Sequence, residues 1–221
     1  MTAIKVIGAP LSPFVRKVHI ALVLKGLEYE MDPVSPFNLP QGYEKINPLK
    51  RIPVLLHAGH YIQDSAIICR YLEDVFPEHP LVPADPLLKS RVAWFEKFAD
   101  YELSGAISAT AFRHRVVFRS LGREFDAAKI DAIIAARAPP LFDYLNAEIG
   151  DLQYLVGDTL TLADIAVVSQ FINASMGGET VDSSRWPDLA RYVDQHFAAL
   201  PFAPLIEKQR GMVAKMLARA G

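Results

Sequence analysis

Ala3-Ile4-Lys5-Val6-Ile7-Gly8-Ala9-Pro10-Leu11-Ser12-Pro13-Phe14 carries the chain from one kind of element into another. The short apolar run Ala3 to Gly8 reads as a strand, and Gly8-Ala9-Pro10 stops it. Ser is a favoured N-cap and Pro a favoured first helical residue, so Ser12-Pro13 predicts a helix start. Phe14, Val18, Ala21, Leu22 and Leu24 then mostly share one helical face, and Gly26 is the stop signal. Further along, Tyr29 to Val34 reads as a weak second strand leading into a loop with Pro33, Pro36 and Pro40. Val54-Leu55-Leu56-His57 and Tyr61-Ile62, joined through Ala58-Gly59-His60, read as a hairpin. Asp64-Ser65 opens a helix with Ile67, Ile68, Tyr71, Leu72 and Val75 along one side. The order is βαβ, loop, ββα.

The pattern changes at Pro77, Pro80, Pro83 and Pro86, where proline is too dense to continue a helix and stiffens the backbone. The expected division is a domain over residues 1–80, a linker over 81–86 and an all-helical domain over 87–221. Helices are expected over Leu87 to about Arg119, Asp126 to about Ile149, Thr161 to Ala174, Pro187 to Leu200 and Pro201 to Ala218. Pro139-Pro140 should kink the second of these or cut it in two. The fold class is thus α/β plus all-α.

Composition removes several functions. The 221 residues are 51% hydrophobic and 22% charged, which is globular and not disordered. A formal charge of −2 removes the broad basic field expected of a nucleic-acid binder. The single cysteine, Cys69, allows no internal disulfide and no paired-cysteine zinc or redox site, and fits a reducing compartment. Mid-helix among apolar neighbours, it reads as an inert packed thiol. Met1 to Lys5 shows no signal-peptide pattern. The longest uncharged stretch, Ile165 to Gly178, is 14 residues, short of the roughly 18 that span a bilayer. No membrane partner and a cytoplasmic location are expected.

Three constellations could carry chemistry. The Ser12 hydroxyl at a helix N-terminus could serve only as a cap, or could donate a hydrogen bond to a bound thiolate and lower its pKa. No His or Asp lies nearby in sequence to activate Ser12, and Gly-x-Ser-x-Gly is absent, so a hydrolase is unsupported. Asn47-Pro48-Leu49-Lys50-Arg51-Ile52-Pro53-Val54-Leu55 reads either as a turn into a strand or as a docking edge. Pro53 leaves the preceding backbone open to an extended, peptide-like ligand. Asp64 or Ser65 could simply cap a helix; alternatively its N–H groups could take a carboxylate while Asp64 pairs with an ammonium.

Together these motifs resemble the cytosolic glutathione S-transferases, in a serine-type, bacterial-like form. The resemblance rests on the strand-Ser-Pro-helix run, on Asn-Pro…Ile-Pro-Val-Leu and on Asp-Ser-Ala-Ile-Ile-x-x-Tyr-Leu. Downstream, Tyr154-Leu155-Val156-Gly157-Asp158 and Thr161-Leu162-Ala163-Asp164 are similar to the family's core-helix signature, with Thr161 and Asp164 as a capping box. It implies a thioredoxin-like first domain that binds glutathione as co-substrate, and a helical domain that supplies most of a pocket for a hydrophobic electrophile. It also implies a homodimer and a detoxifying transferase.

Carried over, Ser12 would bind the glutathione thiolate. Ile52 would pair its backbone with the cysteinyl part beside a cis Pro53, and Lys50 or Arg51 would meet the glycyl carboxylate. Asp64 and Ser65 would hold the γ-glutamyl ammonium and carboxylate. Most relatives have Glu where Asp64 stands and often Gly where Lys50 stands. Phe14, Phe112, His114 and Arg115 are candidates for the electrophile pocket. Arg16, one turn after Ser12, reads as a solvated cation. His57 and His60 lack supporting ligands, so no metal is expected. Glutathione-dependent isomerase or peroxidase chemistry, or non-catalytic binding on the same fold, are the alternatives.

Overall fold

A computed structural model describes residues 3–219; Met1-Thr2, the first part of the Met1 to Lys5 stretch read for a signal-peptide pattern, and Ala220-Gly221 lie outside the described residues. The chain divides into two compact units, Met1–Ala84 and Asp85–Gly221.

The first unit contains β1 (Lys5–Ile7), α1 (Pro13–Leu24), β2 (Glu30–Asp32), β3 (Val54–His57), β4 (His60–Gln63) and α2 (Ser65–Val75). Its sheet runs β2-β1-β3-β4. β1 and β2 are parallel, as a βαβ crossover requires, and the other pairs are antiparallel. The hairpin is tighter than a three-residue link: His57 pairs with His60 across Ala58 (φ 50°) and Gly59 (φ 79°). Two positive φ angles make it a type I′ turn, whose twist matches that of its strands. Val6, Val18, Leu22, Val54, Leu55, Ile68 and Leu72 are fully enclosed in the core.

Arg16 is not the solvated cation the sequence suggested. Val15, Arg16, Lys17 and Val18 are consecutive and all buried, so α1 is covered around most of its circumference. An amphipathic reading assumes one open face, and here none is left for the charges. Burial pulls the Arg16 guanidinium down to about 9. At the other end of α1, buried Lys25 bonds the Glu73 carboxylate at 2.7 Å and the carbonyls of Phe76, Glu78 and His79 at 2.8–3.4 Å. One cation thus joins the C-termini of both helices to the proline-rich segment.

The second unit contains α3 (Pro86–Lys97), α4 (Ala109–Phe112), α5 (Ala127–Ile149), α6 (Leu162–Met176), α7 (Pro187–Ala198) and α8 (Phe202–Ala218). The long helix expected from Leu87 to Arg119 winds as a π-helix over Phe98–Ser108 and again over Arg113–Phe118. Apolar spacing does not distinguish these windings closely enough to reveal the change. Pro139-Pro140 leave α5 uncut. The carbonyls deprived of donors belong to Ala135 and Ala136, both exposed, so water can serve them.

α6 is buried at every position from Leu162 to Ala174, the mark of a central helix. Its start is fixed by Asp164, which has no exposed surface. One carboxylate oxygen accepts from the Leu155 N–H and Tyr192 hydroxyl, both at 2.8 Å. The other accepts from the Thr161 N–H at 2.9 Å and its hydroxyl at 3.0 Å. The capping box is present as expected. Beside it, buried His196 donates Nδ1–H to the Tyr192 carbonyl at 2.8 Å, and burial lowers its pKa from 6.5.

Three stability predictions follow from these contacts. Ala58→Asn should raise stability by about 0.5–1 kcal/mol in urea melts, because Asn tolerates left-handed backbone better than Ala. Asp164→Ala should lower it by about 3–5 kcal/mol by orphaning buried donors from three segments. His196 is held neutral when folded, so its contribution is complete above the unfolded value near 6.5 and declines as pH falls below it. In His196→Asn, which keeps a donor for Tyr192, stability should fall less steeply between about pH 6.5 and 5.

Candidate functional site

The sheet register gathers the site. Ile7 pairs with Val54, and Val54 with Gln63, so the end of β1, the start of β3 and the end of β4 share one edge of the sheet. Gly8, Ile52-Pro53 and Asp64 leave the sheet there, and α1 begins a few residues after Gly8. A Cβ built on Gly8 would lie 2.6 Å from Val15 Cγ2, 3.3 Å from Ile52 Cβ and 3.6 Å from Pro53 Cα. The first turn of α1 therefore presses on the Ile52-Pro53 segment with only a hydrogen between them.

Ser12 caps α1 from an extended conformation (φ −71°, ψ 131°). Its Oγ accepts the Val15 N–H at a long 3.4 Å. A hydroxyl used as an acceptor keeps its own hydrogen to donate. The local positive end of the α1 dipole adds to its preference for an anion.

The Ile52-Pro53 peptide is cis. The loop before it is held by two residues that sequence reasoning missed as determinants. Tyr43 Oη and Asn47 Nδ2 each donate to the Arg51 carbonyl at 3.0 Å. Asn47 Oδ1 also accepts from Leu49 N at 2.9 Å, two residues on. That turn was legible in Asn47-Pro48, since Asn side chains commonly close such turns. Among the described residues, neither the Ile52 N–H nor its carbonyl has a backbone hydrogen-bond partner. An extended ligand could pair with both.

Lys50 adopts φ 54°, the left-handed region in which glycine is easiest, which accounts for glycine suiting this position. Lys50 and Arg51 are exposed beside Ile52. Gln63 Nε2 donates to the Ile46 carbonyl at 2.7 Å, tying the end of β4 to the same loop.

Asp64 has φ 74° and caps α2: its Oδ1 accepts from Ala66 N at 2.9 Å and Ile67 N at 3.4 Å. Oδ2 takes no part in these bonds. Ser65 is buried at the first position of α2. Sequence reasoning missed Gly8 altogether, because a glycine after a strand looks like simple punctuation.

The expected electrophile-pocket residues have separate local roles. Phe14 is half-buried on α1. In the second unit, Phe112 is buried, and His114 donates Nδ1–H to the Thr110 carbonyl at 2.8 Å with its ring 4.9 Å from Phe118. Arg115 donates to the Gly177 carbonyl at 2.7 Å, to Glu179 at 2.5 Å and to Asp131 at 2.6 Å. Burial opposes its charge, but these carboxylates outweigh it and raise its pKa. His57 is buried and bonds the Tyr71 hydroxyl at 2.8 Å. Among the described residues, no group of three or more His, Cys, Asp or Glu could hold a metal ion.

Comparison with known proteins assigns both units. Residues 6–80 match the glutathione S-transferase N-terminal domain, and residues 109–201 match the glutathione S-transferase C-terminal domain. A glutathione S-transferase of Triticum aestivum is 32% identical over 211 residues, covering 88% of this chain and 91% of that protein. A glutathione S-transferase from Rhodospirillum rubrum superposes with a TM-score of 0.82 at 26% identity, covering 91% of each chain. One from Methylobacterium radiotolerans, solved in complex with glutathione sulfonate, is 31% identical with a TM-score of 0.73, covering 93% of this chain and 95% of that one.

Gly8→Ala should force the α1 turn off the Ile52-Pro53 segment and lower stability by about 1–3 kcal/mol in denaturant melts.

Proposed function

The chain belongs to the glutathione S-transferase family, and we propose that it activates the thiol of glutathione for attack on a hydrophobic electrophile. The observation carrying this reading is the contact at Gly8. It brings Val15, in the first turn of the helix that Ser12 caps, close to Ile52-Pro53, and the Ile52 amide and carbonyl lack backbone partners among the described residues. A peptide thiol needs both features, one for its sulfur and one for its cysteinyl backbone.

In this mechanism the Ile52 backbone pairs with the cysteinyl part. Asp64 Oδ2 faces the γ-glutamyl ammonium, and the α2 N-terminus with Ser65 takes the neighbouring carboxylate. Lys50 or Arg51 meets the glycyl carboxylate. Asp64 is one methylene shorter than Glu, so a water would lengthen its reach to the ammonium. Ser12 donates O–H to the sulfur. A thiol of ordinary pKa near 8.5 is mostly protonated at neutral pH, and this bond with the helix end favours the thiolate. The thiolate attacks the electrophile's carbon and the leaving group departs with the bonding pair. No covalent enzyme intermediate is involved; thiolate population and proximity supply the acceleration.

Ser12 standing at the N-cap supports the proposed serine-type form. A second copy of the chain is the natural partner. Leu49, Tyr61 and Ile67 are apolar side chains 69%, 44% and 59% exposed, and Tyr61 lies on the sheet's edge strand. A cytoplasmic detoxifying role is in keeping with one cysteine, which is buried. Among the described residues, no helix is long and apolar enough to cross a membrane.

Ser12→Ala should lower kcat/KM for a generic aromatic electrophile by about 10–100-fold near pH 6.5, one charged hydrogen bond's worth. The deficit should shrink toward pH 9, where thiolate forms unaided. A loss equal at both pH values would remove Ser12 from thiol activation. Failure of the wild-type chain to bind glutathione in calorimetry would overturn the reading. Binding without turnover of any electrophile would favour a non-catalytic binding protein.

A further inference from the structure

The Arg51 carbonyl takes two side-chain donors at once, Tyr43 Oη and Asn47 Nδ2, each at 3.0 Å. Both donors come from buried residues, Tyr43 being 2% exposed and Asn47 4%. Tyr43 opens a short 3-10 turn, Tyr43–Lys45, and its own carbonyl accepts from Ile46 N and Asn47 N, both at 2.9 Å. Backbone and side chain of one residue thus close a ring through Asn47 and Arg51. The Tyr43 ring sits in a small apolar cluster with Ile7 and Val54, and Ile46 and Ile52 pack against that cluster. Burial raises the Tyr43 pKa, so the phenol keeps its proton and remains a donor.

The importance of this acceptor lies on the other side of its peptide. Among the described residues only Ile52-Pro53 and Leu200-Pro201 are cis, so the Arg51-Ile52 peptide is trans and its N–H points away from its carbonyl. With the carbonyl turned toward buried Tyr43 and Asn47, the Ile52 N–H is turned away from them. That N–H has no backbone partner among the described residues. Two donors on one carbonyl also polarise the peptide, which strengthens its N–H as a donor.

We propose that Tyr43 is a positioning residue for glutathione: its hydroxyl, together with Asn47, aims and polarises the Ile52 N–H that donates to the cysteinyl carbonyl. The inference rests on the reading of this site as a glutathione site and adds to it a residue that acts through a peptide, not on the sulfur. It divides the work between two hydroxyls. Ser12 acts on the thiolate, and Tyr43 acts on the affinity for the peptide that carries it.

The test compares wild type with Tyr43→Phe, which keeps the ring in its cluster and removes only the hydroxyl oxygen. Calorimetry should show glutathione and S-methylglutathione, which has no thiol, both weakened about threefold to tenfold. KM for glutathione should rise by the same factor, while kcat at saturating glutathione stays within about twofold of wild type and keeps its pH profile. In amide proton NMR, saturating S-methylglutathione should move the Ile52 N–H downfield, and move it less in Tyr43→Phe. A tyrosine that only fills the core predicts wild-type affinity in Tyr43→Phe, and that result overturns the inference. A loss confined to kcat overturns it, as does an Ile52 shift equal in the two proteins. If Tyr43→Phe does not fold, wild type decides: Ile52 amide exchange should slow about tenfold or more when S-methylglutathione binds. An amide equally protected in the free and bound chain overturns the inference. Wild type that binds neither ligand overturns the glutathione reading itself, and this inference with it.

Discussion

The site depends on a close approach at Gly8. Three separate chain segments converge at one end of the sheet because the register of β1, β3 and β4 leaves them no alternative. Register alone would still leave a gap between α1 and the Ile52 loop. Gly8 closes it, since even one methyl group there would meet Val15 at 2.6 Å. The backbone at Ile52 is then fixed from the other side by Tyr43 and Asn47, which hold the Arg51 carbonyl. A backbone segment held in this way would lose less conformational entropy on pairing with an extended ligand.

The helical unit is organised around a different constraint. α6 is buried all round and mostly apolar, and such a helix has no preferred register against its neighbours from hydrophobicity alone. Asp164 supplies one. Its two oxygens accept from Leu155, Thr161 and Tyr192, so the start of α6, the preceding loop and α7 are fixed by directional bonds. Arg115 acts similarly at the far end, bonding the Gly177 carbonyl just past α6 while also holding Glu179 and Asp131. Gly177 leaves room for the Ala111–Phe112 backbone, since a Cβ on Gly177 would lie 2.8 Å from Ala111 C and Phe112 N.

What was legible in the sequence was local. Ser12-Pro13, Asp64-Ser65 and the Thr161–Asp164 box are N-terminal signals whose chemistry is complete within four residues, and each caps its helix as expected. Residues defined by distant neighbours were not legible. Arg16 looks solvated until α1 is seen to be covered around most of its circumference. Gly8 looks like a turn until Val15 and Ile52 close around it. Pro139-Pro140 look like a break until Ala135 and Ala136 prove open to water. The π-helical windings were hidden for another reason: a shift from 3.6 residues per turn barely changes which side chains are apolar.

The electrostatics of the site follow from these same caps. Glutathione with an ionised thiol would bring two carboxylates, a thiolate and one ammonium to a chain of formal charge −2. The exposed cations near Ile52, Lys50 and Arg51, sit where solvent weakens them. Arg16 is buried one turn after Ser12. The remaining positive potential comes from the backbone: α1 and α2 both begin at the same edge of the sheet, each presenting roughly half a positive charge. Ser12 and Asp64 are the residues at those two points, and their difference in charge then divides the labour. A neutral hydroxyl lets the α1 dipole act on the sulfur, whereas a carboxylate at α2 partly cancels its dipole and makes that corner able to hold an ammonium as well as a carboxylate. In the proposed complex, one end of the sheet would meet both ends of a zwitterion and an anionic sulfur with two helix N-termini.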